Sequence, residues 1–367
     1  MVVAFHLLKA TPHFATPAIF KHVLEKRVES FLASRRTTDS PLMYGKAIGL
    51  VTVSVVAYLF LVFEASSTLS AVVSGFVLAM AFTGIAFNVQ HDGNHGGFSR
   101  YKWVNRSAGF TLDLIGASSY FWADKHNHNH HVFTNIPEED TDISLGFLAR
   151  LSEEHRWHWF HRFQHIYLWA LYAFVHLRYL FTDLWRMSGL KKNTTNYPRG
   201  YDLGAMLAGK ILFLTMAFAI PMTEHSFGKV LGVYSLISMT MGVVFSVVFQ
   251  LAHTVDNVEH PVRGATDHNE WVIHQIRTTS NFAPKSWFLT FALGGLNFQR
   301  EHHLFPKVSH VHYPEIAKVV RAVCDEHNIE YCESPSFFGA MRSHYRFVKA
   351  MGAKPGGRSP FPQVSTV

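Results

Sequence analysis

Charged residues and cysteines are both scarce in this chain of 367 residues. Asp, Glu, Lys and Arg make up 16% of the sequence, whereas about 25% is usual for globular proteins. Hydrophobic residues make up 48%, and the sequence contains 32 phenylalanines. This deficit of charge is typical of a membrane protein. The two cysteines, Cys324 and Cys332, are too few for a disulfide scaffold or a four-thiolate iron–sulfur cluster.

Nucleotide-binding motifs are absent as well. The sequence contains no G-x-G-x-x-G stretch and no complete Walker loop, so no nucleotide or flavin site is readable in it. The electrons for any redox chemistry must therefore come from another molecule. The opening stretch, "MVVAFHLLKATPHFATPAIF", lacks the continuous apolar segment and the clean cleavage site of a signal peptide. We interpret it as an interfacial or cytosolic segment.

Four stretches are long and apolar enough to cross about 30 Å of hydrocarbon. They form two predicted hairpins and comprise residues 47–64, 71–90, 205–222 and 230–252. The links within the hairpins, "ASSTLS" and "TEHSFGK", contain only one Lys or Arg, Lys229. Lys and Arg are frequent before the first stretch and in the middle segment, which predicts that both termini and the middle segment are cytosolic. Lys210, near the start of the third stretch, is expected to snorkel to that surface.

Histidines cluster in three short groups that this topology brings to one face of the membrane. The groups are "HDGNH", "HNHNHH" and "QREHH", and their candidate metal ligands are His91, His95, His126, His130, His131, His302 and His303. Residues four apart share a helix face, so the two rings of the first group can converge on one metal. In the second group, His126 and His130 have the same spacing.

Adjacent histidines suggest that the site holds two metals. His131 is offset from the face shared by His126 and His130 by about 100° on an ideal helix, so an adjacent pair can serve two metals at once. "QREHH" repeats such a pair. Seven imidazoles exceed the four ligands of a zinc site and suit a pair of transition metals. Iron fits if the task is oxygen activation, but the spacing alone does not choose between iron and zinc.

The three groups, in the contexts "WADKHNHNHHVFTN" and "GGLNFQREHHLFP", resemble the three histidine boxes of membrane fatty acid desaturases. The resemblance extends from about the first predicted span to the region after Pro306. In that family the boxes bind a non-haem di-iron centre that activates O2 and removes hydrogens from a methylene pair of a fatty acyl chain. The resemblance therefore implies two iron ions as cofactors and O2 as co-substrate.

The resemblance also implies further site residues. The family pattern suggests a histidine at the cytosolic end of the fourth span, where "FQLAHTVDN" places His253. Gln299 takes the place of a third-box histidine, which resembles the front-end branch and related bacterial enzymes acting on acyl-CoA or acyl-lipid. Gln299, Asp92 and Asn135 are candidates for a ligand or for a group that hydrogen-bonds to a ligand. His128 is a candidate for the same roles or for a surface position.

An electron donor is the main protein partner that the resemblance implies. Many front-end enzymes carry a fused cytochrome b5 domain with an HPGG haem motif, and this sequence has no such motif. We therefore expect a separate donor, a ferredoxin or cytochrome b5 with its reductase. Complementary charge would guide that donor to the basic cytosolic face. Nucleic acid is not among the predicted partners.

Several other polar stretches have plainer interpretations. Residues 107–121 are predicted to be re-entrant or interfacial, and residues 156–165, "RWHWFHRFQH", to form an interfacial helix and not a fourth metal box. Residues 138–142, "EEDTD", are predicted to be a solvated loop or to contact the metal ligands. His268 and His274 are assigned surface or packing roles. An amphipathic helix is expected after Pro314.

Taken together, these features predict an all-α integral membrane protein with four transmembrane helices in two hairpins and a cytosolic helical cap that holds a di-metal site. Its predicted segments are an interfacial or cytosolic start (1–46), the first hairpin (47–90), a cytosolic segment with the second box (91–204), the second hairpin (205–252), the cap with the third box (253–345) and a mobile tail (346–367).

The predicted function is O2-dependent insertion of a cis double bond into the acyl chain of a CoA ester or a lipid. The predicted location is a bacterial inner membrane or the endoplasmic reticulum. The same scaffold can serve a hydroxylase, an acetylenase or a carotenoid or lipid oxygenase, and the sequence does not separate these outcomes. A histidine-rich metal transporter is the alternative from another class. It is disfavoured because the middles of the spans contain no His, Asp or Glu.

Overall fold

Four long helices dominate the computed structural model, which describes residue 14 and residues 19–188, 197–261 and 270–356. The four helices are 24–28 residues long, with a mean hydropathy of 1.9–2.2 over their most apolar windows. At 1.5 Å per residue each is about 36–42 Å long, enough to cross a bilayer. We call them the first to fourth spans: Pro41–Glu64, Thr68–His95, Gly200–Glu224 and Phe227–His253.

Local sequence determines where the first two spans begin and end. Pro41 opens the first span, where the missing N–H of proline breaks no helical hydrogen bond. Ser67 and Ser70 form a reciprocal capping box at the start of the second span. That span ends at Gly96, whose φ of +77° is left-handed. The predicted starts at residues 47 and 71 are therefore too late, because hydropathy alone does not detect the more polar first turns.

Lys210 does not snorkel to the membrane surface, contrary to the expectation from its position in the third span. Its side chain is buried, and its Nζ donates to the Gly116 carbonyl at 2.7 Å and to Asp183 Oδ2 at 2.9 Å. A buried carboxylate and a carbonyl offset the cost of removing the ammonium from water. The pair thereby attaches the segment between the hairpins to the third span.

The segment between the second and third spans consists of short helices, none of which reaches the length of a span within the described residues. Residues 107–121 fall in helix Lys102–Leu114, a turn, and helix Ser119–Ala123. A helix of 13 residues is only about 20 Å long, too short to cross. The remaining elements are a π-helical turn at Asp124–His130, 3-10 turns at Thr141–Ile143, Gly146–Leu148 and Trp159–Phe163, and α-helices Gln164–Tyr172 and Val175–Met187.

The cap packs beneath the spans and contains the third histidine group. Its elements are helices Ile19–Leu32, Trp271–Thr278, Trp287–Ala292, Gln299–Leu304, Tyr313–Glu326 and Phe337–Gly352, a 3-10 turn at His310–His312, and two short parallel strands, Asn281–Phe282 and Glu333–Ser334. The amphipathic helix expected after Pro314 is confirmed as Tyr313–Glu326. Its buried Ile316 and Val320 belong to one apolar cluster with Leu24 and Val28 of the first helix.

The boundary predicted between cap and tail at residue 346 is wrong. Helix Phe337–Gly352 continues across it, and Phe347, Val348 and Met351 are buried on its inner face. These side chains pack against Leu168 and Tyr172, so burial of an apolar stripe extends the helix where composition alone suggested a tail. The tail beyond residue 356 lies outside the described residues.

Candidate metal centre

The end of the second span carries the two histidines of "HDGNH" and brings them together with one histidine from each of the other two sequence stretches. His91 and His95 occupy one turn at the end of that span, and their ring centroids are 4.8 Å apart. One potential ligand atom from each of these rings, from His126 and from His302 lies within 4.8 Å of the others. From here on, we call these four residues the first group, and we call the stretches "HDGNH", "HNHNHH" and "QREHH" the first, second and third box. All four side chains are buried, which excludes a set of solvated loop histidines.

A second group lies beside the first. Potential ligand atoms of His130, His253 and His303 lie within 4.8 Å of one another, and these three residues are fully buried. Gln299 Nε2 lies 3.0 Å from His253 Nε2, so the Gln299 amide is at the edge of this group. His131 stands between the groups. Its ring stacks on His303 with a centroid distance of 4.1 Å.

The π-helical turn changes how the second box is shared between the groups. The His131 N–H donates to the His126 carbonyl five residues earlier, at 3.0 Å. His131 Nε2 lies 3.2 Å from His126 Nε2 and 2.9 Å from His302 Nε2. His131 thus lies close to His126 and His302 of the first group and stacks on His303 of the second. His130 belongs to the second group, and it also keeps a potential ligand atom within 4.8 Å of one from His126, as their spacing predicted. The adjacent pair is aimed in two directions, as expected.

Hydrogen bonds at the outer ring nitrogens aim the inner nitrogens at the groups. His130 Nδ1 lies 2.9 Å from Asp140 Oδ2, and His303 Nδ1 lies 2.8 Å from Gln275 Oε1. Because those oxygens can only accept, each Nδ1 carries the proton and each Nε2 keeps its lone pair. Nε2 of His130, of His303 and of His95 has no hydrogen-bond partner among the described residues. Buried lone pairs that converge without a donor are the ligand set a metal requires.

The electrostatics of the box histidines fit the same interpretation. Burial, followed by the neighbouring imidazoles, lowers the pKa of His126, His131, His302 and His303 well below the usual value. These rings are therefore neutral at pH 7, and only neutral imidazole binds a metal. Burial also opposes ionisation of His130, but the Asp140 carboxylate outweighs it and raises the pKa of His130.

Three further candidates from the sequence, Asp92, Asn135 and His128, have different positions. Asp92 Oδ2 pairs with His310 Nδ1 at 2.8 Å, and Asp92 Oδ1 lies 3.8 Å from His91 Nδ1. The Asn135 amide donates to the His253 carbonyl at 2.9 Å and so secures the end of the fourth span. His128 is the exception, because it points out of the π-helical turn with its side chain 75% exposed. It is not brought into either group, and of the roles that the sequence left open for it the surface position applies.

Acidic residues after the second box contribute more than their sequence suggested. Asp140 is fully buried against His130, and Asp142 pairs with Lys125. Of the two interpretations of "EEDTD", contact with a ligand applies to Asp140, whereas Glu138 and Thr141 are exposed, as in a solvated loop. The distance of ten residues between Asp140 and His130 hides the pairing in the sequence. Gln275, which holds His303, carried no sequence signal at all.

The remaining histidines named from sequence serve in packing where they are described. His161 is buried, with Nε2 2.9 Å from the Phe147 carbonyl, and His274 is buried with its ring 5.2 Å from that of Phe14. Trp159 remains 64% exposed, as an aromatic at an interface would be. His268 lies outside the described residues.

An apolar cavity of about 1190 Å³ lies between the two hairpins and is lined by residues of all four spans. Ile115 and Met241 are among the residues that line this cavity. The same two residues belong to an apolar cluster against which Trp122 packs. The Trp122 ring stacks on His126 with a centroid distance of 4.2 Å, so this apolar cluster connects the cavity lining to the first group.

Comparison with known proteins assigns the chain to a family. Residues 66–335 match the family described as fatty acid desaturase. An sn-1 linoleoyl-lipid 6-desaturase of Arthrospira platensis is 36% identical over 346 residues, which cover 92% of this chain and 93% of that protein. A Synechocystis sp. protein of the same name is 36% identical over 343 residues, with 91% and 95% covered. An acyl-lipid (8-3)-desaturase of Physcomitrium patens is 33% identical, with 91% and 72% covered. The chain therefore belongs to the fatty acid desaturase family, and it is an oxidoreductase that desaturates fatty acyl chains.

Proposed function

We propose that this chain is an O2-dependent acyl-lipid desaturase whose two histidine groups each hold one iron. The observation that carries the proposal is the convergence of buried imidazoles on two adjacent points. The first group would use His91, His95, His126 and His302, and the second would use His130, His253 and His303, with Gln299 at its edge. His131, between the groups, would be available to either metal. When bound, a pair of irons supplies the activation of O2 that removal of hydrogen from a methylene requires.

The protein's own residues then hold and align the reactants. Two C–H bonds on neighbouring methylenes break and a C=C bond forms, while O2 accepts four electrons and becomes two waters. Two of those electrons come from the acyl chain and two from a one-electron donor protein, with two protons from solvent. The histidines take no part as nucleophiles. The position of the chain beside the groups decides which methylene pair reacts.

The substrate we propose is an acyl chain esterified to a membrane lipid. The relatives named as acting on linoleoyl-lipid and acyl-lipid support a lipid over a CoA ester, and they support a double bond placed toward the carboxyl end. The apolar cavity supports a methyl end that passes Trp122 and extends between the hairpins. Its volume of about 1190 Å³ exceeds the 300–1000 Å³ of ordinary ligand pockets, which suits long chains.

Membrane orientation and the electron donor are parts of the same proposal. The distribution of Lys and Arg supports a cytosolic cap and only two short turns on the other side. A net charge of +7 supports an acidic donor, a ferredoxin or cytochrome b5 with its reductase, that docks on the cap by charge complementarity.

The test is expression of the chain in a host with a simple lipid profile, together with candidate donors, followed by gas chromatography–mass spectrometry of the acyl chains. The double variant His302→Ala, His303→Ala removes one ligand from each group, and His128→Ala is the matched control because its side chain is exposed. A new double bond with the intact chain and the control, absent with the double variant, is the expected result. A hydroxy or alkyne product would instead show a different outcome at the same metal centre.

A further inference from the structure

Three buried ionisable side chains outside the two histidine groups contact one another in a row that ends beside His91. Lys46 Nζ in the first span lies 2.6 Å from the Phe291 carbonyl and 3.2 Å from His310 Nε2. His310 Nδ1 lies 2.8 Å from Asp92 Oδ2, and Asp92 Oδ1 lies 3.8 Å from His91 Nδ1. Lys46, His310 and Asp92 are each no more than 9% exposed, so water does not compete for these contacts.

The chemistry of the partners determines the tautomer of His310. An ammonium can only donate, so His310 Nε2 must accept from Lys46. The proton of the neutral ring is then on Nδ1, which donates to the Asp92 carboxylate. The resulting sequence of groups is a cation, a neutral ring and an anion. It neutralises the buried charges of Lys46 and Asp92 without direct contact between them.

The position of His310 is closely defined by the surrounding chain. The backbone N–H of Ser309 donates to the Thr37 carbonyl at 2.7 Å. On the other side, Gly295 has a φ of +71°, and a Cβ there would lie 3.0 Å from His310 Cβ. Only glycine combines that backbone conformation with that approach. Segments far apart in sequence therefore converge to place one imidazole against Asp92.

We propose that His310, supported by Lys46, is a positioning residue for the first metal group. It holds the Asp92 carboxylate against the Nδ1 side of His91 and so directs the other nitrogen of His91 into the group. Asp140 orients His130 by direct contact with its Nδ1, and His310 would orient His91 indirectly, by holding Asp92. This inference rests on the proposed metal centre, because it assigns a role within that centre.

Two substitutions of His310 distinguish positioning from packing. Asparagine carries an N–H at the place of Nδ1 and can still donate to Asp92, although it leaves part of the ring volume empty. Leucine fills more of that volume but cannot donate. A positioning role therefore predicts that His310→Asn is less harmful than His310→Leu, whereas a packing role predicts the reverse order. Lys46→Met removes the support from the other side, and His312→Leu is the control two residues away.

The measurement is iron per chain in purified protein, by mass spectrometry of the metal, alongside size-exclusion profiles. We expect two irons in the wild type, in His312→Leu and in His310→Asn. His310→Leu and Lys46→Met should retain about one, because loss of such an outer partner lowers metal affinity by about 10–100-fold and only the first group contacts Asp92. Two irons in His310→Leu, or equal losses in the Asn and Leu variants, would overturn the inference. A wild-type chain that binds no iron would refute the proposed metal centre itself, and the inference with it.

Discussion

Arg300, inside the third box, holds the box helix in place from the side facing away from the metal groups. Its guanidinium is fully buried and donates to the carbonyls of Ile276 at 3.0 Å, Cys332 at 2.8 Å and Thr279 at 2.6 Å. It also lies over the Tyr331 ring, 4.2 Å from the centroid. We predict that Arg300→Met destabilises the cap and lowers the iron content.

The magnitude follows from the three charged hydrogen bonds. Each contributes about 1.5–3 kcal/mol, so their sum is about 5–9 kcal/mol before subtracting the cost of burying a guanidinium, which methionine avoids. Glu301 adds to the loss, since burial raises its pKa and the Arg300 charge opposes that shift. A net destabilisation of about 3–5 kcal/mol is expected, as for other buried charge contacts that lose one partner.

Thermal unfolding of the detergent-solubilised protein measures this loss. At about 2 °C per kcal/mol for a chain of this size, the apparent Tm should fall by roughly 6–10 °C. Arg321→Met is the matched control, because Arg321 lies over the same Tyr331 ring at 4.4 Å but is 44% exposed and pairs with Glu333. That variant should lose no more than about 1 kcal/mol. An equal Tm for both variants would refute the reasoning that burial of the guanidinium carries the effect.

Three other predictions test separate parts of the structure. Burial raises the pKa of Asp113 to about 7, so the folded state favours its protonated form and stability falls as the pH rises from about 4 to 7. Asp113→Asn should raise the free energy of unfolding at pH 8 by up to about 4 kcal/mol, seen as a higher Tm, and should raise it much less at pH 5. An equal gain in Tm at both pH values would contradict this. Ser238 lines the cavity, so the larger side chain in Ser238→Phe should leave less room for a long acyl chain. The ratio of 22-carbon to 18-carbon products in the lipid profile should fall about tenfold, and an unchanged ratio would show that the methyl end does not occupy this cavity. Asp140→Asn should lower iron content to about one per chain through His130, which metal analysis can detect; two irons would show that His130 needs no carboxylate.

The sequence was sufficient to locate the four long apolar helices and the histidines that the structure brings together, because both signals are local. Apolar runs identify spans by length, and the histidine spacing within each box is read directly. The division of ligands between the two groups was not predictable, since it depends on a π-helical turn that brings the His131 N–H to the His126 carbonyl five residues earlier. An ideal helical wheel cannot anticipate an extra residue in one turn.

Contacts between distant segments were the other gap. Lys210 lies near the start of the third predicted stretch, as a snorkelling residue does, yet its ammonium donates to Asp183, which is 27 positions earlier in another helix. Gln275 is a single polar residue in an amphipathic helix until folding puts it 2.8 Å from His303. Partners of this kind are selected by three-dimensional proximity alone, so a single sequence does not reveal them.

The unequal lengths of the spans connect the membrane to the chemistry. The second and fourth spans have 28 and 27 residues, against 24 and 25 for the first and third. At 1.5 Å per residue the longer pair is about 10 Å longer than 30 Å of hydrocarbon. His91, His95 and His253 all lie in the last turns of these two helices. If the extra length of each helix extends beyond the hydrocarbon at that end, these histidines lie at the membrane surface. Ligands on continuous helices are held more rigidly than ligands on loops. The same two helices can therefore anchor the chain in the bilayer and set the histidine groups at its edge, where the proposed lipid-bound substrate would pass from headgroup to hydrocarbon.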